Sequence, residues 1–339
     1  MDDFDLFHFL IPDVSASFYQ QKAITEPDYI QPIICHAPSI STQELDQINQ
    51  APLKHFENFL STFLGSDPTP EQIAQFLFFS GISPHAISII LFNSKNLSNT
   101  FLPYFFLAPV ITFLPFVTAI RIEFSHIALP YSKIEFIALI SALSKALIQN
   151  NNIEGFKQEA VSHLIMCCLF HSLSVYIQQP ISISIFLDIC NLCEELRKFG
   201  MMQMTYIYEK ICEEPLIIYY SFVDPKYIPN TEKFDDLPVK HGYKKSWKTK
   251  HVIIDQNYLV IKSKYEKKKE SERIKLDNIA FTTIPGKEFI FSIFPIHKSA
   301  NEKLYSFMTR SKKQLETWRC SLLLRSFYRM LDNIIHESS

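Results

Sequence analysis

Cys190-x-x-Cys193 puts two thiols at a spacing used both by metal sites and by thiol–disulfide chemistry. No second pair and no neighbouring histidine accompanies it in sequence. Both cysteines lie in an apolar periodic run, so they read as thiols of a helix core. His163, Cys167 and His171 recur every four residues, on one face of a helix, which is also a metal-like spacing. That helix is otherwise apolar, and the three read as core residues. No Ser-His-Asp set or paired carboxylates stand out. With only 6 glycines among 339 residues, a glycine-rich phosphate loop is disfavoured. An enzyme with its own active site finds little support, and neither a metal nor a cofactor is expected.

The chain as a whole predicts two modules. Residues 240–339 carry 21 lysines and arginines against 10 acids, which leaves 12 against 25 for residues 1–239. An acidic front and a basic rear point to an anionic partner for the rear. The 7 cysteines, Cys35, Cys167, Cys168, Cys190, Cys193, Cys212 and Cys320, are odd in number and mostly apolar in setting, as in a reduced, cytosolic protein. The acidic, proline-interrupted start excludes a signal peptide.

Residues 100–120, TFLPYFFLAPVITFLPFVTAI, contain no charge and have the length of a membrane span. Pro103, Pro109 and Pro115 argue against one continuous helix, because each removes a backbone donor. The stretch reads as short buried helices starting near the prolines, with no transmembrane span.

Residues 1–51 read as an irregular arm with one short helix at 42–49. Thr69-Pro70-Glu71-Gln72 is a capping box with proline at the first helical position. Ser83-Pro84 starts the next helix. Further helices are expected at 132–150, 158–177, 184–198 and 201–213. Residues 218–239, with acids and prolines, read as a linker. Beyond it the period changes to short β-branched runs at 251–254, 258–262, 273–276, 279–284, 288–294 and 303–308, then an amphipathic helix at 311–330. The expected fold is therefore multidomain: an all-α domain, then a small barrel or sandwich capped by a C-terminal helix.

The string Thr69-Pro-Glu-Gln-Ile-Ala-Gln-Phe-Leu77 resembles the start of the Sec-seven domain, the all-α exchange module for ARF-family small GTPases. Phe116-x-x-Ala119-Ile120-Arg121 resembles the helix before that family's catalytic loop, and Leu129-Pro130 matches the L-P of its F-R-L-P-G-E. Ala160–Tyr176 takes the place of its second hydrophobic motif. Ile207-Tyr-Glu-Lys-Ile-Cys-Glu-Glu-Pro-Leu216 resembles its ending. The resemblance covers residues 52–217. Residues 240–332 resemble a pleckstrin-homology domain, with Gly242-Tyr243, Trp247–Ile253 and Trp318 in the matching places. The module order is that of cytohesin-type exchange factors.

The resemblance implies nucleotide exchange on an ARF-like GTPase by a carboxylate that repels the β-phosphate and competes for magnesium. Leu129, Pro130 and Tyr131 would belong to the GTPase-binding loop. The family's glutamate position, however, holds Ser132, and the loop is shorter by two residues. Glu135 substitutes only if the loop is rearranged. His171 stands where the family keeps a loop-bracing asparagine. Two readings stay open: an exchange factor that lacks its glutamate, and a non-catalytic adaptor. In the rear module, Lys244, Lys245, Lys248, Lys250, Lys262 and Lys264 would meet a phosphoinositide or other anionic lipid. The protein is then expected in the cytoplasm, peripherally attached to membrane. Nucleic acid is not an expected partner, since no recognition helix or stacking platform stands out.

Overall fold

The structure is a computed structural model that describes residues 40–93, 97–108, 114–151, 156–177, 179–223, 227, 234–241, 246–255, 258–263, 271–276, 279–283, 289–295 and 305–337. Of the sequence readings, the arm before residue 40, Pro109 and Lys244, Lys245 and Lys264 lie outside the described residues.

Helices α1 (Thr42–Gln50) and α2 (Pro52–Leu64) lead into α3 (Pro70–Phe79) and α4 (Pro84–Asn93). The capping box expected at Thr69 is formed, and a second one stands at Ser41. Ser41 Oγ accepts from the Glu44 amide, and Glu44 takes the Ser41 amide in return. Thr69 and Gln72 do the same for α3. The apolar faces of these helices, including Ile73, Phe76, Leu77, Ile87 and Ile90, are buried.

The uncharged stretch 100–120 divides between α5 (Leu97–Leu107) and α6 (Phe116–His126), each of 11 residues. Neither reaches the roughly 20 residues a span requires. Pro115 is the N-cap of α6, but Pro103 lies inside α5 rather than at its start. An interior proline costs about 3 kcal/mol. Burial of Leu102, Phe105 and Phe106 offsets this, at about 1.5–3 kcal/mol each.

Strand β1 (Ala128–Leu129), α7 (Lys133–Asn151) and α8 (Gln158–Tyr176) follow. Among the described residues, α8 alone is long and apolar enough to cross a bilayer, and it is largely buried in the helical domain. The helix expected over 184–198 is interrupted. It forms α9 (Ile183–Cys190), a turn and a short 3-10 helix (Glu194–Phe199). Helix α10 (Met201–Glu213) ends the domain, and Arg121 caps it by donating to the carbonyls of Lys210 and Glu214.

Strand β2 (Tyr219–Tyr220) pairs in parallel with β1. The rear module is one antiparallel sheet of seven strands: β3 (Phe234–His241), β4 (Lys248–Asp255), β5 (Tyr258–Ser263), β6 (Glu272–Lys275), β7 (Ile279–Thr283), β8 (Ile290–Pro295) and β9 (Tyr305–Met308). Their order is β6-β5-β4-β3-β9-β8-β7. Of the expected barrel or sandwich, a closed barrel is not formed, since β6 and β7 remain unpaired edges among the described residues. β3 also lies largely within the stretch read as linker. Asp235 turns inward there and accepts the Trp318 indole N–H at 2.8 Å. Pro238 is tolerated because β9 pairs with β3 only from Val239 onward.

Helix α11 (Lys312–Glu337) closes the sheet. Leu315, Trp318 and Leu322 pack on Leu237, Val252, Ile261, Phe291 and Phe307. Trp318→Ala should therefore cost about 3–5 kcal/mol, read as a lower urea midpoint in unfolding followed by far-ultraviolet circular dichroism.

Candidate functional site

The loop from β1 to α7 is built from its backbone outward. Ile127, Ala128 and Leu129 are fully buried. β2 pairs with β1, and the Ser221 amide donates to the Leu129 carbonyl at 3.0 Å. The incoming chain is held in turn by α8. Ser172 Oγ accepts from the Leu216 amide at 3.0 Å, and the Tyr176 hydroxyl donates to the Leu216 carbonyl at 3.0 Å. These ties fix the root of a short tip.

At the tip, the Tyr131 hydroxyl donates to the Ile279 carbonyl on β7 at 3.1 Å and lies 2.8 Å from Ser326 Oγ on α11. Burial raises its pKa, and the Ser326 contact partly opposes that. Its ring meets Phe222 edge-on at 4.9 Å. Ser132 is exposed, and its carbonyl accepts the first bond of α7 from the Phe136 amide, so it serves as the helix cap. Lys133 pairs with Glu337 of α11 at 2.6 Å.

The second half of α11 lies along this loop. Phe327 sits among Phe136, Tyr220 and Phe222, with ring centroids 5.4–5.8 Å away. Tyr328 stacks on Phe170 of α8 at 4.4 Å, and buried Arg325 donates to the Ile177 carbonyl at 2.8 Å. The rear module therefore covers Tyr131 and the adjoining end of α8, while Ser132 stays exposed.

Two acids lie near the loop in sequence. Glu135 is half-buried in the first turn of α7, and burial raises its pKa. Glu123 is completely buried on α6, neither carboxylate oxygen has a hydrogen-bond partner, and burial raises its pKa strongly. Neither stands at the exposed Ser132 position. Leu129, Pro130, Tyr131, Ser132 and Glu135 are thus gathered at one loop, while His171 is engaged elsewhere. It is buried on α8, stacks on Tyr208 at 4.4 Å, and has Nε2 3.3 Å from Cys212 Sγ. The loop's brace is the backbone of β2, tied down by neighbouring Ser172. Sequence reasoning missed Ser172, Tyr220 and Ser326. The two tyrosines after Leu216 were the one local signal, and Ser326 left none.

The rear lysines divide between two faces. Lys248 pairs with Val239 and Lys250 with Leu237, so both share the core-facing side at its open end. Lys262 pairs with His251 and faces the other way.

The Sec7 domain model matches residues 39–216, more than half of the chain. The chain belongs to the Sec7 family. Solved structures that it resembles include the Sec7p catalytic domain (16% identity, 51% of this chain and 96% of that one, TM-score 0.43). An ARF1-GDP complex of a Sec7 domain with brefeldin A aligns at 18% identity over 52% and 91%, TM-score 0.43. A point mutant of Legionella pneumophila RalF aligns at 12% over 86% and 96%, TM-score 0.42. These likenesses are too distant to add to the family assignment. A search of curated proteins finds no match.

Two outcomes test the geometry of this loop and of the α8 histidine. Tyr131→Phe and Ser326→Ala should each cost about 1–2 kcal/mol in denaturant unfolding. The double variant should cost less than their sum, because both remove one contact. Burial lowers the His171 pKa to about 4. The unfolded chain therefore binds the proton first, and stability falls as pH drops from about 6.5 towards 4. His171→Asn should flatten that decline by up to one proton's slope in unfolding curves taken across this range.

Proposed function

We propose that this chain regulates an ARF-family small GTPase. It is built as a guanine-nucleotide exchange factor that has lost the family's glutamate, and its rear module brings it to anionic membrane. The carrying observation is the β1–α7 loop: Leu129-Pro130 buried at its root, and Ser132 exposed at the family's glutamate position. One Sec7 domain has been captured on ARF1-GDP, which supports an ARF-like partner.

Exchange breaks no covalent bond; it weakens the hold of magnesium and phosphate. A carboxylate 4 Å from a phosphate charge contributes roughly 4 kcal/mol of repulsion at an effective dielectric near 20. That is about a thousandfold in rate. Serine supplies none of it. What remains is displacement of the GTPase switch segments by apolar contacts, and the Tyr131 side of the loop is covered by α11 and β7. Exchange by the parent chain is accordingly slow.

The seven-stranded antiparallel sheet with its helix and Trp318 supports a pleckstrin-homology-like reading of the rear module. Lys248 and Lys250 at the open end of the sheet are the described lysines best placed for lipid phosphate. Attachment at the membrane surface puts the helical domain where a lipidated GTPase would be met.

A second reading is favoured by the same serine: a non-catalytic adaptor that binds the GTPase and lipid without turning over nucleotide.

Release of fluorescent GDP from an ARF-family GTPase separates the two. On the first reading, Ser132→Glu raises the release rate at least about tenfold, the equivalent of ~1.4 kcal/mol, with a further gain on phosphatidylserine vesicles. Saturable GTPase binding with unchanged turnover in both proteins supports the adaptor. Absence of binding ends both. Lys248→Glu with Lys250→Glu should weaken vesicle co-sedimentation at least tenfold, at about 1 kcal/mol per basic residue removed.

A further inference from the structure

Helices α8 and α9 meet at a cluster of sulfur. His163 on α8 is buried, and its Nε2 lies 2.8 Å from the carbonyl oxygen of Ile189, near the end of α9. One turn along the same face of α8 stands Cys167. One residue beyond Ile189 stands Cys190. The histidine therefore holds the last turn of α9 against α8 one turn before Cys167, which makes Cys190 a neighbour of Cys167 across the helix contact. Both are fully buried, as is Cys168 beside them.

Just beyond Cys190, α9 ends. The Cys193 amide donates to the Cys190 carbonyl at 3.2 Å, closing a tight turn across the C-x-x-C. Cys193 caps the 3-10 helix and is half-exposed. One cysteine is thus partly exposed, with two buried behind it. Sequence offered only the C-x-x-C; packing supplies the third thiol. Among the described residues no group of metal-ligating side chains is arranged to hold an ion; the other chemistry that the spacing admits is thiol–disulfide exchange.

We propose that Cys193, Cys190 and Cys167 form a thiol-oxidation site: Cys193 receives a small disulfide oxidant, and the bond comes to rest between Cys167 and Cys190, stapling α8 to α9. The Cys193 thiolate attacks a disulfide of the glutathione class, forms a mixed disulfide and releases one small thiol. The Cys190 thiolate attacks the Cys193 sulfur, and the second small thiol leaves. The Cys167 thiolate then attacks the Cys190 sulfur. The Cys190–Cys193 bond breaks, and Cys193 departs as thiolate and regains a proton. In balance, one small disulfide is reduced to two thiols while Cys167 and Cys190 lose two electrons and two protons. Burial pushes the Cys167 thiol up, so the last exchange is the slow one. The same burial shields the final bond from reductant. The site stands independently of the GTPase reading.

The test uses the full chain treated with oxidised glutathione. Free thiols are blocked with a light maleimide in denaturant, the disulfides are reduced, and the released thiols take a heavy maleimide. Heavy label at Cys167 and Cys190, with a higher melting temperature that dithiothreitol reverses, is the expected result. Cys193→Ser should slow that labelling at least about tenfold, since the entry thiol is gone. Cys167→Ser should leave heavy label at Cys190 and Cys193 instead. Heavy label in the parent confined to Cys193, resting on Cys190 and Cys193, falling on Cys168, or absent from all four overturns the proposal. So does a Cys193→Ser protein that oxidises at the parent's rate.

Discussion

One helix holds the two halves of this protein together. α11 is 26 residues long, roughly 39 Å at 1.5 Å per residue. Its first half supplies Leu315, Trp318 and Leu322 to the interior of the sheet. Its second half lays Phe327, Tyr328, Leu331, Ile334 and Ile335 against the helical domain, all but Tyr328 buried there. A continuous helix has no hinge between those faces. The orientation of the sheet is therefore set by the register of side chains along a single rod, and the β1–α7 loop inherits that orientation through Tyr131 and Ser326.

Much of this was legible in the sequence, because local rules and burial agreed. Thr69 and Gln72 fold into the cap their spacing announces. The alternation from His251 onward produces strands close to where it predicts them. The misreadings came where tertiary burial overrode a local rule. Pro103 should end a helix, yet three buried apolar side chains around it outweigh its cost. Asp235, Asp236 and Pro238 look like linker, yet Asp235 is the acceptor that a buried indole requires. The break after Cys190 left no breaker in the sequence beyond Asn191.

The site was legible in part. Leu129-Pro130 marked the chain that turns from β1 into α7, and Ser132 is exposed there. What the tip touches could not be read. Ile279 and Ser326 are far from Tyr131 along the chain and belong to no pattern that links them. The role expected of His171 was that of the family's loop-bracing asparagine. Aromatic stacking on Tyr208 instead holds the imidazole against α10, and a neighbour's hydroxyl ties down the chain entering β2.

The parallel pairing of β1 with β2 has a mechanical consequence. β2 is the last stretch of chain before the connector that runs to the rear module. Tension applied to that connector would peel β2 away starting at its Ser221 end, one ladder rung at a time, rather than shear both rungs together. Ser221 and the Leu129 carbonyl would part first.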